Sequence, residues 1–248
     1  MSESAHHQPE LPNIITLLAE AYKDNHFFAV LYEWQNLIYS LLVVAILTAF
    51  AYFATRRPKN LPGKLQNFAE LIVGGLDEFV CGILGPHGRE YVPFIGTLFL
   101  YIISINILGL IPFLKSSTAS WSTTLGLALC VFFYVQFSAI RKMGFFGYID
   151  HLAGKPRGVM AFTIVLPLFT FCLHLIAEFV KPVSLSLRLR SNIWGDELLL
   201  AVLTTFGMKG LPLLILNTMM ALLAAIVQAV VFSLLTTIYF ALVLSEEH

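Results

Sequence analysis

Long apolar stretches separated by short charged segments run along most of this chain. No charged residue lies between Glu33 and Arg56, and residues 37–54 are almost wholly apolar. As a helix, such a stretch measures about 27 Å, close to the thickness of the hydrocarbon core of a bilayer. The pattern therefore predicts a first membrane-spanning helix at about 37–55.

The next segment shows a different periodicity. Between residues 64 and 84, apolar side chains recur at spacings of three and four, with amide and acidic side chains between them. This pattern is typical of a helix that lies in the membrane surface, and we expect one at about 62–85. A soluble cap packed on other subunits would have the same pattern, so both interpretations stay open.

Three further apolar stretches have the length that a helix needs to cross the hydrocarbon core. Two of them lie on either side of Lys115 and predict a hairpin of spans at about 91–114 and 118–140. The third predicts the last span, at about 210–244.

Charged residues interrupt the segment 166–206, which is therefore harder to interpret. As one helix it would measure about 60 Å, so it must tilt steeply, kink at Pro182 or begin along the surface. A separate crossing at 158–177 would give six spans instead of five.

Together these segments predict an all-α membrane protein with about five transmembrane helices plus an amphipathic surface helix. The last two helices are expected to be long and tilted and to form a hairpin. The predicted organisation is an external N-terminal segment, 1–36, followed by a single integral membrane domain, 37–248.

Basic residues fall on one side of the predicted spans. They follow the first span at Arg56, Arg57 and Lys59, and residues 141–158 carry four basic residues against one acidic residue. Because cytoplasmic loops carry the excess of Lys and Arg, five spans leave the N-terminus outside and the C-terminus in the cytoplasm.

Composition supports the membrane interpretation and excludes several other classes of protein. The 248 residues are 58% hydrophobic and only 12% charged, whereas a soluble domain is roughly one quarter charged. Net charge is zero, so no overall field favours nucleic acid. The three cysteines are too scattered for a disulfide framework or metal site, and no phosphate-binding loop or nucleophile motif is present. We expect no cofactor, and we expect ion movement to be the chemistry.

Charges inside the apolar segment 166–206 are the main functional signal. A charged side chain at the centre of a spanning helix costs about 2.5 to 3.5 kcal/mol on insertion scales, so Arg188 is expected to face a partner or water. On a regular helix Glu197 lies on the opposite face from Arg188 and about 13 Å further along. We therefore interpret Arg188 as a gate between two proton paths, with Asp196 and Glu197 on one and His174 and Glu178 on the other.

Amide side chains are the second group of candidate polar residues. Asn192 shares the stripe of Arg188, and Gln228 is the only strongly polar side chain deep in the last span. Gln228 is predicted to hydrogen-bond across to Arg188, whereas Asn106 is interpreted as a helix-to-helix hydrogen bond. Simpler interpretations stay open: Arg188 at an interface, a satisfied buried histidine at His174, and helix packing alone at Gln228.

The run from Lys181 to Leu198, KPVSLSLRLRSNIWGDEL, resembles the signature of the a subunit of rotary F-type ATP synthases. Two further segments resemble the same family, NILGLIP at 106–112 and the apolar run that follows Gln228 and Ala229. The SEEH ending at 245–248 also recurs among bacterial members. The resemblance covers roughly residues 30 to 248.

This resemblance implies a stationary subunit with two half-channels that carry protons to and from a rotating c ring and so couple the gradient to ATP synthesis. Arg188 matches the arginine that faces the ring, and Gln228 matches the glutamine beside it. Asn192 and Glu197 match polar positions of the outer half-channel. The chain would not be catalytic alone. It would lie in the cell inner membrane, with the c ring, the b subunits of the peripheral stalk, the F1 sector and the lipid bilayer as partners, and no nucleic acid.

Four positions depart from the family pattern. Arg190 stands where a bulky apolar residue is usual, Asp196 is an additional acid, His174 replaces a frequent Glu, and Ala221 replaces an ionisable residue. Two rival functions stay open: an independent secondary transporter in which Arg188 binds an anionic substrate, and a membrane scaffold without an ion path. The sequence does not distinguish H⁺ from Na⁺.

Overall fold

The computed structural model describes residues 34–56, 63–111, 114, 116–152 and 162–244, and this part of the chain is helical, without strands. Its backbone forms six long helices, since an α-helix satisfies every backbone hydrogen bond within one segment of an apolar medium. The helices are α1 (Gln35–Thr55), α2 (Lys64–Leu84), α3 (Val92–Gly109), α4 (Trp121–Leu152), α5 (Phe162–Thr204) and α6 (Leu211–Leu244). Short 3-10 turns at Pro86–Glu90, Ser117–Ala119 and Gly207–Gly210 connect some of them.

Five of these helices are long and apolar enough to cross a membrane, and α2 is not one of them. The predicted fold class, all-α with five spans and a surface helix, is therefore confirmed. The segment 162–177 belongs to the same helix as Arg188, so the described chain has no separate sixth crossing there. The predicted N-terminal segment lies almost wholly outside the described residues, and the division into segments 1–36 and 37–248 stays a prediction.

Two helix ends differ from the prediction for local reasons. Helix α3 ends at Gly109 rather than at 114, and Gly109 is so close to Ser116 that a Cβ there would lie 2.5 Å from the Cβ of Ser116. Helix α4 continues past 140 to Leu152, but Gly144 interrupts it with φ of 72°. Glycine adopts that conformation without steric cost, so the span ends at the kink.

Helix α5 has 43 residues and continues through Pro182, which gives it a length of about 65 Å. A short turn joins it to α6, and cross-contacts show that the two run antiparallel: Asn192 meets Gln228, and Lys181 meets Tyr239. The expected hairpin of two long final helices is confirmed.

The core lies where α3 and α6 pack together with α4 and α5. Its fully buried side chains include Ile95, Ile102, Leu189, Phe232 and Phe240. On α6, small residues at every fourth position are buried and let neighbouring backbones approach closely. They are Ala221, Ala225, Ala229 and Ser233.

Helix α2 is tied to the start of α3 by a surface ion pair. Asp77 accepts hydrogen bonds from Arg89, from Nε at 3.3 Å and from Nη2 at 3.1 Å. The Arg89 guanidinium lowers the pKa of the Asp77 carboxyl. Cys81 lies one turn away, with its Sγ 3.6 Å from Asp77 Oδ1, and its pKa is raised by partial burial and by the Asp77 charge.

Substitution of Asp77 is expected to make Cys81 more reactive. In a background without Cys130 and Cys172, Asp77→Asn removes the carboxylate that opposes the thiolate but leaves Arg89, so the pKa of Cys81 falls. Because the thiolate is the reactive form, alkylation at pH 8 should be about two- to fivefold faster, and its pH profile should shift to lower pH.

The matched control is Glu78→Gln, which removes the neighbouring acid on an exposed position of α2. It should leave the alkylation rate close to the unmutated one. An unchanged or slower rate in Asp77→Asn would show that Asp77 does not restrain Cys81.

Candidate functional site

Arg188 lies on the face of α5 that points away from the protein core. The buried stripe of α5 contains Leu185, Ser186 and Leu189, and it packs towards the other helices. Arg188 is exposed, and within the described part of the chain it forms no hydrogen bond or ion pair. A guanidinium keeps its charge at any physiological pH, so this face presents a fixed cation to whatever covers it.

The residues around Arg188 on this face are small. Ser184, Ser191 and Gly195 are all exposed and lie on the same side of the helix, the two serines about one turn from Arg188 and the glycine about two turns from it. Small side chains leave room for another helix to approach the guanidinium closely. This face of α5 therefore has open space beside Arg188.

Asn192 and Gln228 join α5 to α6 one turn from Arg188. Asn192 Nδ2 donates to Gln228 Oε1 at 2.7 Å, and Gln228 is only 2% exposed. The predicted cross-helix bond of Gln228 is therefore made to Asn192 rather than to Arg188. The Nε2 atom of Gln228 is buried and has no hydrogen-bond partner among the described residues, which leaves one donor available where α5 and α6 meet.

Glu178 belongs to a polar network between α4, α5 and α6. Its carboxylate accepts a hydrogen bond from Gln136 Nε2 at 2.7 Å and forms an ion pair with Lys181. Tyr148 donates to Gln136 Oε1 at 2.6 Å, and Lys181 lies over the ring of Tyr239, 5.3 Å from its centre. The charges of Glu178 and Lys181 are thus paired within the chain.

Little free space adjoins this network. The neighbouring cavity, which Glu178, Lys181 and Tyr239 help to line, has a volume of about 10 Å³, enough for one water molecule at most. His174, the other group predicted for this path, is exposed on α5 one turn before Glu178. Sequence reasoning missed Gln136 and Tyr148, although Gln136 is a strongly polar residue inside an otherwise apolar span and could have been identified on that basis.

Asp196 and Glu197 line a larger cavity of about 60 Å³ between α3, α5 and α6. The opposite wall carries further polar groups, of which sequence reasoning identified only Asn106, and as a packing contact. They are Asn106, Ser116, Asn217 and Thr218. A cavity of this size with several polar partners can hold a few water molecules.

Asn106 is the most informative of these groups. It is 2% exposed, its Oδ1 accepts a hydrogen bond from Thr118 at 3.0 Å, and its Nδ2 has no partner among the described residues. A buried amide donor without a protein partner is expensive unless water satisfies it. Asn106 therefore indicates a hydrated cavity beside the two acids.

Ala221 also lines this cavity, at the position where the resemblance leads one to expect an ionisable residue. Asn217 lies one turn earlier on the same helix and is 7% exposed. The absence of a large side chain at Ala221 leaves space, and Asn217 supplies a polar group to it. This wall of the cavity thus differs in composition from the pattern expected by resemblance.

Arg190, the other departure in this stretch, stacks on Trp121, with 4.5 Å between the guanidinium carbon and the ring centre. Such a contact stabilises by about 0.5 to 2 kcal/mol and fixes the start of α4 against α5. Arg190 therefore supports the packing of the site's helices, and it lies on a different side of α5 from Arg188.

Residues 37–241 match the family model described as ATP synthase A chain. Curated relatives named ATP synthase subunit a extend the match. The protein from Protochlamydia amoebophila is 36% identical over 96% of this chain and 91% of its own length. That from Solidesulfovibrio magneticus is 36% identical over 96% and 98%, and that from Helicobacter pylori is 35% identical over 90% and 95%. With its fixed cation, its amide pair and its acid-lined cavity on two long final helices, this chain belongs to the ATP synthase A chain family.

Proposed function

We propose that this multi-pass membrane protein is the stationary subunit that carries protons to and from a rotating c ring, through two half-channels separated by Arg188. The observation that carries the proposal is the exposure of an unpaired Arg188 on a face lined by small residues. A ring carboxylate is the partner that such a cation requires. It would exchange with Arg188 as it passes, while the fixed charge opposes a direct leak of protons.

The outer half-channel is proposed to run through the cavity that Asp196 and Glu197 line. Carboxyl groups can release and accept protons, and water held by Asn106 and Asn217 would connect them to the outside. Asn192 and Gln228 would guide the ring carboxylate beside Arg188, since their mutual hydrogen bond fixes both amides one turn away.

The inner half-channel is proposed to use His174 and Glu178, with different roles for the two. His174 is exposed, and an imidazole can both accept and donate a proton, which suits proton transfer. Glu178 is tied to Lys181 and Gln136, so its part in the path is to hold the helices and the local charge in place.

The wider assembly follows from the same proposal. The c ring would cover the exposed face of α5 and α6, the b subunits of the peripheral stalk would hold the chain stationary, and the F1 sector would carry the catalytic sites. The N-terminus would be outside and the C-terminus in the cytoplasm of a cell whose inner membrane contains the complex. A secondary transporter that acts alone is less well supported, because relatives that are 36% identical over 96% of this chain are named ATP synthase subunit a.

Replacement of Arg188 tests the gate. Arg188→Ala should abolish ATP-driven acidification of inverted membrane vesicles while the complex still assembles, because the ring carboxylate loses its counter-charge. Arg188→Lys should also fail, since an ammonium does not reproduce the fork of the guanidinium. Passive proton permeability of vesicles stripped of F1 measures whether the variant leaks.

The matched control is Arg190→Leu, which removes the neighbouring arginine and restores the apolar residue usual at that position. It should assemble and pump, because the contact of Arg190 with Trp121 contributes only about 0.5 to 2 kcal/mol to packing. Pumping at the unmutated level in Arg188→Ala would refute the gate and leave Arg188 as an interfacial charge.

The hydrated cavity can be tested at Asn217. Asn217→Leu replaces a polar wall of the cavity by an apolar one, so we expect pumping to slow by about tenfold, a barrier increase of roughly 1.4 kcal/mol. The readout is the initial rate of acidification per assembled complex.

Ser233→Ala serves as the control, because it removes a buried polar group of α6 outside the cavity. If Asn217→Leu pumps as fast as Ser233→Ala, protons do not pass through this cavity. That result would leave the proposed role of Arg188 intact.

A further inference from the structure

An open cavity of about 480 Å³ lies where the end of α1 meets the start of α2. Phe53 and Leu65 form apolar walls, whereas Arg56 and Lys64 supply charged hydrogen-bond donors. It is separate from the residues discussed for ion transfer. Its volume is that of a small organic group, several times larger than a water molecule.

Two cations line the cavity, and no described residue neutralises either of them. Arg56 stacks on Tyr52, with 5.5 Å between its guanidinium carbon and the ring centre, and neither Arg56 nor Lys64 has an ion pair among the described residues. In the sequence no acidic residue occurs between Glu33 and Glu70, whereas four basic residues do. The carboxylate of Glu70 accepts a hydrogen bond from Gln66 at 2.8 Å.

The position of the cavity matches the boundary between lipid tails and headgroups. Helix α1 is a spanning helix that ends at Thr55, and Phe50 near that end packs edge-on against Phe68 of α2 at 6.2 Å. Apolar side chains on α2 stay exposed: Leu65 by 58%, Phe68 by 54% and Leu71 by 72%. Such a helix lies with its apolar face in the acyl boundary, which puts the neighbouring cations at headgroup level.

We propose that this cavity binds the phosphate headgroup of an anionic glycerophospholipid. The Arg56 guanidinium and the Lys64 ammonium would contact the phosphate oxygens, since both are favourable partners for that group. Phe53 and Leu65 would contact the glycerol and the first methylenes of the acyl chains. Four basic residues directly after a spanning helix are also the sequence pattern of anionic-lipid recognition.

The test uses the whole membrane complex in phosphatidylcholine vesicles that contain a trace of photoreactive phosphatidylglycerol or photoreactive phosphatidylcholine. After illumination, mass spectrometry locates the label along this chain. We expect phosphatidylglycerol to label residues 53–66 about 10- to 30-fold more than phosphatidylcholine, the factor that two cations at the membrane surface provide. Label that maps to other segments, or equal labelling by both lipids, overturns the proposal.

The double variant Arg56→Gln/Lys64→Gln should lose this preference, and the charge-conserving variant Arg56→Lys/Lys64→Arg should keep most of it. The matched control, Arg141→Gln/Lys142→Gln, removes two cations at another membrane boundary and should keep it in full. Equal loss in the control would show that only general surface charge attracts the lipid. Complete displacement of the label by inorganic phosphate would show a site for a soluble anion. Either result overturns a lipid site.

Discussion

A permanent positive charge on a membrane-spanning helix is the constraint on which the arrangement of this protein depends. On insertion scales an arginine at the centre of a span costs about 2.5 to 3.5 kcal/mol, and Arg188 has no ion pair within the described chain to offset that cost. The adjacent amides, Asn192 and Gln228, bond to each other instead. In the function proposed above, the stabilising negative charge comes from another molecule, the carboxylate of the passing ring.

Lys181, on the same helix, differs from Arg188 because its charge is neutralised within the chain. Lys181 folds back to Glu178 and the ring of Tyr239, and Gln136 and Tyr148 complete that network. An ion pair with further hydrogen bonds inside an apolar region is tolerated because its remaining polar atoms are satisfied. Helix α5 thus carries Lys181, whose charge is paired within the chain, and Arg188, which has no ion pair among the described residues. The two cations are seven residues apart, nearly two turns of the helix.

Much of the fold could be predicted from the sequence because hydropathy and helix length are strong constraints in a bilayer. The kink at Gly144 could not be predicted, because glycine adopts both negative and positive φ and the surrounding sequence does not indicate which one occurs. The candidate site was partly predictable: a helical wheel separates Arg188 from Glu197, and both acids line a cavity whose lining does not include Arg188.

The cavity that Asp196 and Glu197 line was not predictable from one sequence. It exists because small residues from two helices, Gly109 and Ala221, meet near the acids and leave space, and that depends on which faces pack together. The pairing of Gln136 with Glu178 has the same origin, since the residues are distant in sequence and meet only through the packing of α4 on α5. Periodicity gives the face of one helix, but it does not identify the partner of that face.

The length of α5 has a geometric consequence. Its apolar part, 36 residues from Phe169 to Thr204, measures about 54 Å and fits within a hydrocarbon core of about 30 Å only when its axis inclines about 55° from the membrane normal. The 13 Å or so that separate Arg188 from Glu197 along the helix then become about 7 Å of depth and about 11 Å of sideways displacement. Groups that follow one another along this sequence are therefore spread out in the plane of the bilayer, so a partner gliding past in that plane meets them one after another.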